Sequence, residues 1–359
     1  MNVKNNSKFS NAFLDAQRIA FAPFAFQTAR FMRDHGVLRA LHQAGSGGLS
    51  TEALVEQTQL SEYAIESVCE AGLSFGLVSL DRGEAEAPPK WALTRVGYIV
   101  LADRMTRINL DFTHHVCYRG LYHLEDALLE GRPAGLHELG DWPTIYEGLS
   151  QLPQEASDAW FTFDHFYSDR AMPLALEHIL VHKPGRFLDI GGNTGQFARL
   201  VTSSDPDVRV TIADLPGQLG LAAKENERLG TADRIDGHPV DMLDPDSELP
   251  TGFDAVWMSQ FLVCFSKIEI VSILERARRA LAPGGRLWIL DTYWDHTRNE
   301  VAEYCLHGTS LYFTVMANGN SRMYSLEDTV RLLRRAGLEV VEQFDDLGHA
   351  HTLLSCAPV

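Results

Sequence analysis

No apolar run in the sequence approaches the ~20 residues a membrane-spanning helix needs. The opening residues, MNVKNNSKFSNAF, also lack the hydrophobic core of a secretory leader. A cytoplasmic chain with no membrane partner is therefore expected. Cysteine is sparse. Cys69, Cys117, Cys264, Cys305 and Cys356 lie far apart with no C-x-x-C pair, which argues for reduced thiols and against a disulfide framework or a zinc knuckle. Basic residues are also in deficit, at 31 Lys and Arg against 48 Asp and Glu, a net charge of −17. Nucleic acid and anionic membrane are polyanions and would be repelled. The sequence does have length and core-forming residues. Its 359 residues, 45% hydrophobic, suffice for two globular domains.

The two halves have different patterns. Residues 1–105 are mostly helical, and Leu49 to Thr94 reads as helix, turn, helix and two short strands around a polar hairpin, the order of a winged helix. Its second helix, Ser61 to Leu73, places Glu62, Glu66 and Glu70 four residues apart and has no Lys or Arg, so DNA reading is disfavoured. The apolar stretch AFAPFAFQTARFM (20–32) suits either a dimer contact or ordinary core. Residues 106–182 continue as helix. From 183 to 359, short apolar runs (RFLDIGG, VRVTIADL, FDAVWMSQFL, RLWILDTYW) alternate with amphipathic segments. Strands that apolar, joined by helical crossovers, predict a parallel sheet covered on both faces. LEVVEQF and HTLLSCA are expected as an antiparallel edge.

Ligands bind such sheets at the carboxyl ends of the strands. The first end reads Asp189-Ile-Gly-Gly-Asn-Thr-Gly195, and no frame supplies the G-x-G-x-x-G of a dinucleotide site. A carboxylate beside a tight glycine turn suits a cation better than a pyrophosphate. The second strand ends in Asp214, an acid placed to accept bonds from a ribose diol. The third region ends in Asp241-Met242, an acid and a flexible apolar residue suited to adenine. Singly, each acid also reads as a helix cap. In order at three successive strand ends, they fit S-adenosylmethionine (SAM), which has an ammonium, a ribose and an adenine but no phosphate.

The segments FLDIGGNTG, ADLPG, VDMLD, FDAVWMSQFL, ALAPGGRLWILD and NGNSRMYSLEDTVRLLRRAGL make the chain resemble the plant-type small-molecule O-methyltransferases. That group includes caffeate and hydroxyindole O-methyltransferases and bacterial antibiotic-tailoring relatives. The resemblance covers nearly the whole length. It implies an α/β fold, a Rossmann-like doubly wound SAM-methyltransferase sheet with an N-terminal winged-helix dimerisation domain. It also implies a homodimer, a small-molecule acceptor and S-adenosylhomocysteine as product. By the match, Asp214, Leu215, Asp241 and Met242 hold the nucleoside, with Asp189, Gly191 and Gly192 near the methionine part. Ser259 takes the place of a usual lysine, and Phe265 that of a tryptophan against the adenine.

One part of the resemblance is missing. The family carries a histidine base at the exit of the fourth strand, where this chain has Val263-Cys264, and Ser321 replaces a glutamate that orients that histidine. A positioned base is worth about 10²–10⁴-fold. Its loss implies that another residue takes the proton, that the acceptor is already anionic or carbanionic, or that methyl transfer has been given up. Phe163, Tyr167, Val263, Tyr312 and Met316 align with acceptor-pocket positions, and Tyr167, His165 and His307 are the candidate replacement bases. No metal is expected, because His114-His115, His123 and His349-Ala-His351 have no carboxylate at a ligand spacing. The expected function is methylation, on carbon or oxygen, of a small aromatic or polyketide-like metabolite. The alternative is a SAM-binding relative that guides another reaction such as cyclisation or hydroxylation.

Overall fold

A computed structural model describes residues 3–83 and 88–359. The chain divides into two compact units, Met1–Leu110 and Asp111–Val359.

The first unit begins with α1 (Val3–Ala20), α2 (Ala22–Asp34) and α3 (Val37–Ala44). Next come α4 (Thr51–Thr58) and α5 (Glu62–Ser74), started by Ser50 and Ser61, whose hydroxyls accept the Ala53 and Ala64 N–H groups. Strands β1 (Val78–Asp81) and β2 (Lys90–Leu93) pair antiparallel, and Trp91 also bridges to Leu49. This is the expected winged-helix order; the hairpin tip, 84–87, lies outside the described residues. α6 (Arg95–Ala102) follows, and α7 (Arg104–Phe112) contains the division between the units. Trp91 packs with Leu38, Leu41, Leu54 and Ile65 in this unit's own core.

In the second unit, α8 (Leu124–Glu130), α9 (Ile145–Gly148), α10 (Gln154–Ser168) and α11 (Ala171–Leu180) precede a seven-stranded sheet. Its strands are β3 (Arg186–Ile190), β4 (Arg209–Asp214), β5 (Ile235–Pro239), β6 (Phe253–Ser259), β7 (Leu281–Thr292), β8 (Leu338–Leu347) and β9 (His351–Pro358), in the order β5-β4-β3-β6-β7-β9-β8. The first five are parallel; β9 runs antiparallel to both β7 and β8. Successive side chains point to opposite faces, so Leu188, Val256, Met258, Leu287 and Ile289 enter one core while Phe187, Ala255, Trp257, Trp288 and Leu290 enter the other. Helices α12 (Gln196–Ser204), α13 (Pro216–Leu229), α14 (Lys267–Ala280), α15 (Glu300–Tyr312) and α16 (Leu326–Arg335) complete the unit. The two late runs do pair antiparallel, but only β8 is an edge. β9 lies inside the sheet and is buried over His351 to Cys356.

Helical segments 111–182 belong to the same unit as the sheet. They form a third core with residues 263 and 312–323. Two wide π-helical turns, Thr113–Cys117 and Phe313–Ala317, pack against each other there. Such turns recur at functional sites because they re-aim side chains that a regular helix would stack. Among the described residues no helix is long and apolar enough to cross a membrane.

Candidate active site

The strand order reverses between β3 and β6, the topological switch point where ligands bind a doubly wound sheet. β3 ends in Asp189 and Ile190 with Gly191 next in the chain, and β6 ends in Ser259. Gly191 has φ +74, and a Cβ there would fall 2.2 Å from the Phe261 ring, so both the turn and the close approach require glycine. A Cβ at Gly192 would fall 2.7 Å from Asp189 Oδ2. Asp189 is 2% exposed and its Oδ2 has no hydrogen-bond partner. Burial, then the neighbouring Asp214 carboxylate, pushes its carboxyl up to about 8.

Asp214 is held by backbone. Its Oδ2 accepts the Asn193 N–H at 2.8 Å and its Oδ1 the Leu215 N–H at 2.7 Å. Burial raises its carboxyl against the lowering effect of these two bonds. A carboxylate has about four lone-pair sites, so two remain for a diol. Asn193 Oδ1 and Ser259 Oγ are also buried without partners. Met242 and Phe265 are buried in one cluster, and the Phe265 ring lies 4.8 Å from that of Phe261. Asp241 is exposed and its Oδ1 accepts the Leu243 N–H at 2.8 Å, a local turn cap. A cradle with orphaned acceptors, one buried and one half-buried acid and an apolar floor fits a cationic nucleoside such as SAM. It does not fit a pyrophosphate.

Across the β6 exit lies the aromatic compartment. Val263 is 4% exposed and shares a cluster with Phe163, Tyr312, Met316, Trp160, Tyr146 and Cys264. Phe112 stacks on Phe163 at 4.0 Å, and Trp160 Nε1 donates to the Tyr312 hydroxyl at 2.8 Å. The fold thus gathers Phe163, Val263, Tyr312 and Met316 into one cluster. Tyr167 adjoins it, 5.0 Å from Phe163 and 6.0 Å from His349. His165 packs beside Phe161 at 6.0 Å. His307 lies outside the compartment, exposed and 5.2 Å from the Trp294 ring. Leu306 faces in, and the next helical position turns ~100° away.

The late motif fastens the turn that carries Val263. Asn318 Nδ2 donates to the Cys264 carbonyl, and Tyr324 donates its hydroxyl to the Phe265 carbonyl at 2.7 Å. Ser321 Oγ donates to Asn318 Oδ1 at 2.6 Å, which orients the amide. Ser321 therefore supports the backbone of this turn through Asn318.

Two carboxyls that are not among the candidate bases act on this turn through their charge. Asp164, half-buried on α10, is raised to about 6 by burial, against the lowering effect of His165. Its charge is felt by Tyr146, Tyr312 and Cys264. Asp291, 2% exposed at the end of β7, is raised to about 7 by burial and also acts on Cys264. Both left a signal. Asp291 is one more acid at a strand's carboxyl end, and Asp164 follows Trp160 by four residues, one helical face.

This sheet, with its acid-and-glycine cradle, defines a SAM-dependent methyltransferase. The chain contains an O-methyltransferase domain. Residues 168–339 match the model of the O-methyltransferase domain, and residues 14–84 that of the Dimerisation2-like domain. The L-tyrosine C(3)-methyltransferase of Streptomyces lavendulae is 23% identical over 293 residues, 81% of this chain and 77% of that one. Aclacinomycin 10-hydroxylase RdmB of Streptomyces purpurascens is 28% identical over 271 residues, 74% of this chain and 69% of its own. Among solved structures, the neocarzinostatin O-methyltransferase NcsB1, in complex with SAM and 2-hydroxy-5-methyl naphthoic acid, superimposes with a TM-score of 0.66 at 18% identity, covering 93% of this chain and 96% of that chain.

Proposed function

We propose that the chain is a cytoplasmic homodimer that methylates carbon or oxygen of a small aromatic or polyketide-like metabolite. In this reading a carboxylate, not an imidazole, manages the acceptor's proton. One observation carries the reading: the base position, Val263, is buried in an aromatic compartment whose turn is flanked by Asp164 and Asp291, raised to about 6 and 7. An acid tuned close to neutrality is matched to proton transfer at physiological pH. Relatives named for C- and O-methylation support both target atoms.

Asp189, Gly191 and Gly192 would hold the methionine part of SAM, Asp214 and Leu215 the ribose, and Asp241 and Met242 the adenine, with Ser259 and Phe265 closing the site. When bound, SAM supplies a methyl group already activated on its sulfonium. The task left to the chain is positioning the acceptor and accepting its proton. Phe163, Tyr312 and Met316 would wall the acceptor. Asp164 takes the proton, while Tyr167 and His165 orient the acceptor and the acid. Nucleic acid is not a partner in this reading, since Glu62, Glu66 and Glu70 are exposed on α5 where a DNA reader needs bases.

The test is single-turnover transfer of labelled methyl, first to a panel of phenols and activated aromatic rings. On the acceptor found, Asp164→Asn is expected to lower turnover at least tenfold with KM little changed, and to remove the acidic limb of the pH profile. Full activity with an unaltered profile would dismiss Asp164 as the base. A second reading is favoured by the hydroxylase among the relatives. Tight SAM binding with product formed but no label transferred would establish it.

A further inference from the structure

Away from the cradle and compartment, the fold brings together three ligand-type side chains that the sequence keeps 14 and 15 residues apart. His123 caps the start of α8, and His137 and Glu138 lie in the turn Leu136–Glu138. The imidazole rings meet at 4.4 Å, nearly edge to face. His123 Nε2 stands 3.7 Å, and His137 Nε2 3.8 Å, from the same oxygen, Glu138 Oε1. The three ligand atoms all lie within 4.8 Å of one another.

The other ring nitrogens are also accounted for. His137 Nδ1 is 2.5 Å from the Ala134 carbonyl, so it carries the proton and leaves the Nε2 lone pair pointing at the cluster. His123 Nδ1 is 3.8 Å from Asp126 Oδ2. For His137, one nitrogen on a carbonyl and the other on a shared point is the arrangement by which proteins orient metal-binding histidines, while Asp126 attracts His123 without a hydrogen bond. In a tetrahedral zinc site with bonds of ~2.0–2.2 Å, ligand atoms sit about 3.4 Å apart. The two nitrogen–oxygen spacings, 3.7 and 3.8 Å, are a few tenths of an ångström longer than that, and the two nitrogens, within 4.8 Å, draw together as the ion binds.

We propose that His123, His137 and Glu138 form a binding site for a divalent transition metal of the zinc type, with the fourth position left to water. Two imidazoles exclude calcium and magnesium, which take oxygen ligands. The ion would fasten two turns that share a duty. Gly135 donates to the Val315 carbonyl at 2.9 Å, and Gly135 and Gly120 approach so closely that a Cβ on Gly135 would lie 2.5 Å from the Gly120 carbonyl oxygen. A side chain on Gly120 would in turn strike the Met316 sulfur. Both turns therefore back the segment carrying Met316, and the metal is a structural clip behind the aromatic compartment. The inference does not rest on the acceptor or on the identity of the base.

The test uses the full chain after chelator treatment, titrated with Zn²⁺ alone. One equivalent is expected to bind with Kd on the order of 1 µM and to raise the melting temperature, while Mg²⁺ at the same concentration does neither. His123→Ala and His137→Ala should each weaken binding at least tenfold. Glu138→Gln, conservative and exposed, should do so without disturbing the fold. His115→Ala, away from the cluster, should leave binding unchanged. Absence of saturable Zn²⁺ binding would overturn the proposal, as would one-equivalent binding of wild-type strength in all three cluster variants.

Discussion

Asp189 is a carboxyl kept out of water with one oxygen lacking any donor, beside another acid. Such a group favours its neutral form until a cation arrives. The expected consequence is that affinity for SAM rises with pH toward about 8, as Asp189 ionises. Asp189→Asn should weaken binding by about 1.5–3 kcal/mol, the worth of a hydrogen bond to a charged group, and flatten this pH dependence in calorimetry. The same shift bears on stability without ligand. A folded-state value raised above the unfolded one gives stability that is full below about 4 and lost as pH rises through 8. Buried His351, lowered to about 4, acts oppositely and only below about 6.5. From pH 6.5 to 8 the ligand-free protein should therefore lose stability, less steeply in D189N, by denaturant unfolding. Val263 belongs to the same scale. Val263→His forces a larger ring into packed surroundings, costing ~1–3 kcal/mol. Ser321 is committed to Asn318, so it does not orient the new ring. At most trace phenol O-methylation is expected from V263H in the labelled-methyl assay; a robust gain would show an ordinary O-methyltransferase pocket short of one residue.

At the scale of elements, the turn after β6 depends on the segment following α15. Asn318 holds the Cys264 carbonyl and Tyr324 the Phe265 carbonyl, so that turn and segment move together. Asn318→Ala leaves a half-buried carbonyl and the Ser321 hydroxyl without their partner. A loss of about 1–3 kcal/mol is expected, with faster amide exchange over residues 261–265. Unchanged exchange there would mean that the tie does not hold the turn. The coupling explains why a polar stretch, NGNSRMY, sits so close to an apolar compartment: its side chains satisfy backbone that no helix or strand can satisfy. The motif itself was legible in the sequence, but its bonding partners were not. They lie 54 and 59 residues earlier in the chain.

For the whole molecule, the N-terminal unit exposes Leu14, Ile19, Phe21 and Phe24 on and between α1 and α2, with Ile19 at 78% and Phe24 at 64%. Apolar side chains grouped in this way mark an association surface, in a unit that matches a dimerisation domain. Light scattering at micromolar concentration is expected to give twice the chain mass. The double variant Ile19→Asp, Phe24→Asp should give a single chain mass with unchanged far-ultraviolet dichroism. A wild-type monomer would contradict the assembly, and a dimer surviving both substitutions would place the contact elsewhere.

Much of this protein was settled by local pattern. Apolar runs such as RFLDI and FDAVWMS read as strands buried on both faces, and acids at their carboxyl ends come together because sheet topology makes those ends converge. Periodicity and turn chemistry act over a few residues, so they show in the sequence directly. What the sequence withheld is contact between distant segments. Asp164 came to act on Cys264 through its charge across one hundred positions, His307 turned outward while its neighbour Leu306 turned in, and β9 slipped between β7 and β8. His123 met His137 and Glu138 only because two turns close over the same stretch of chain. Side-chain direction and non-local proximity depend on how the cores pack, which no spacing along the chain records.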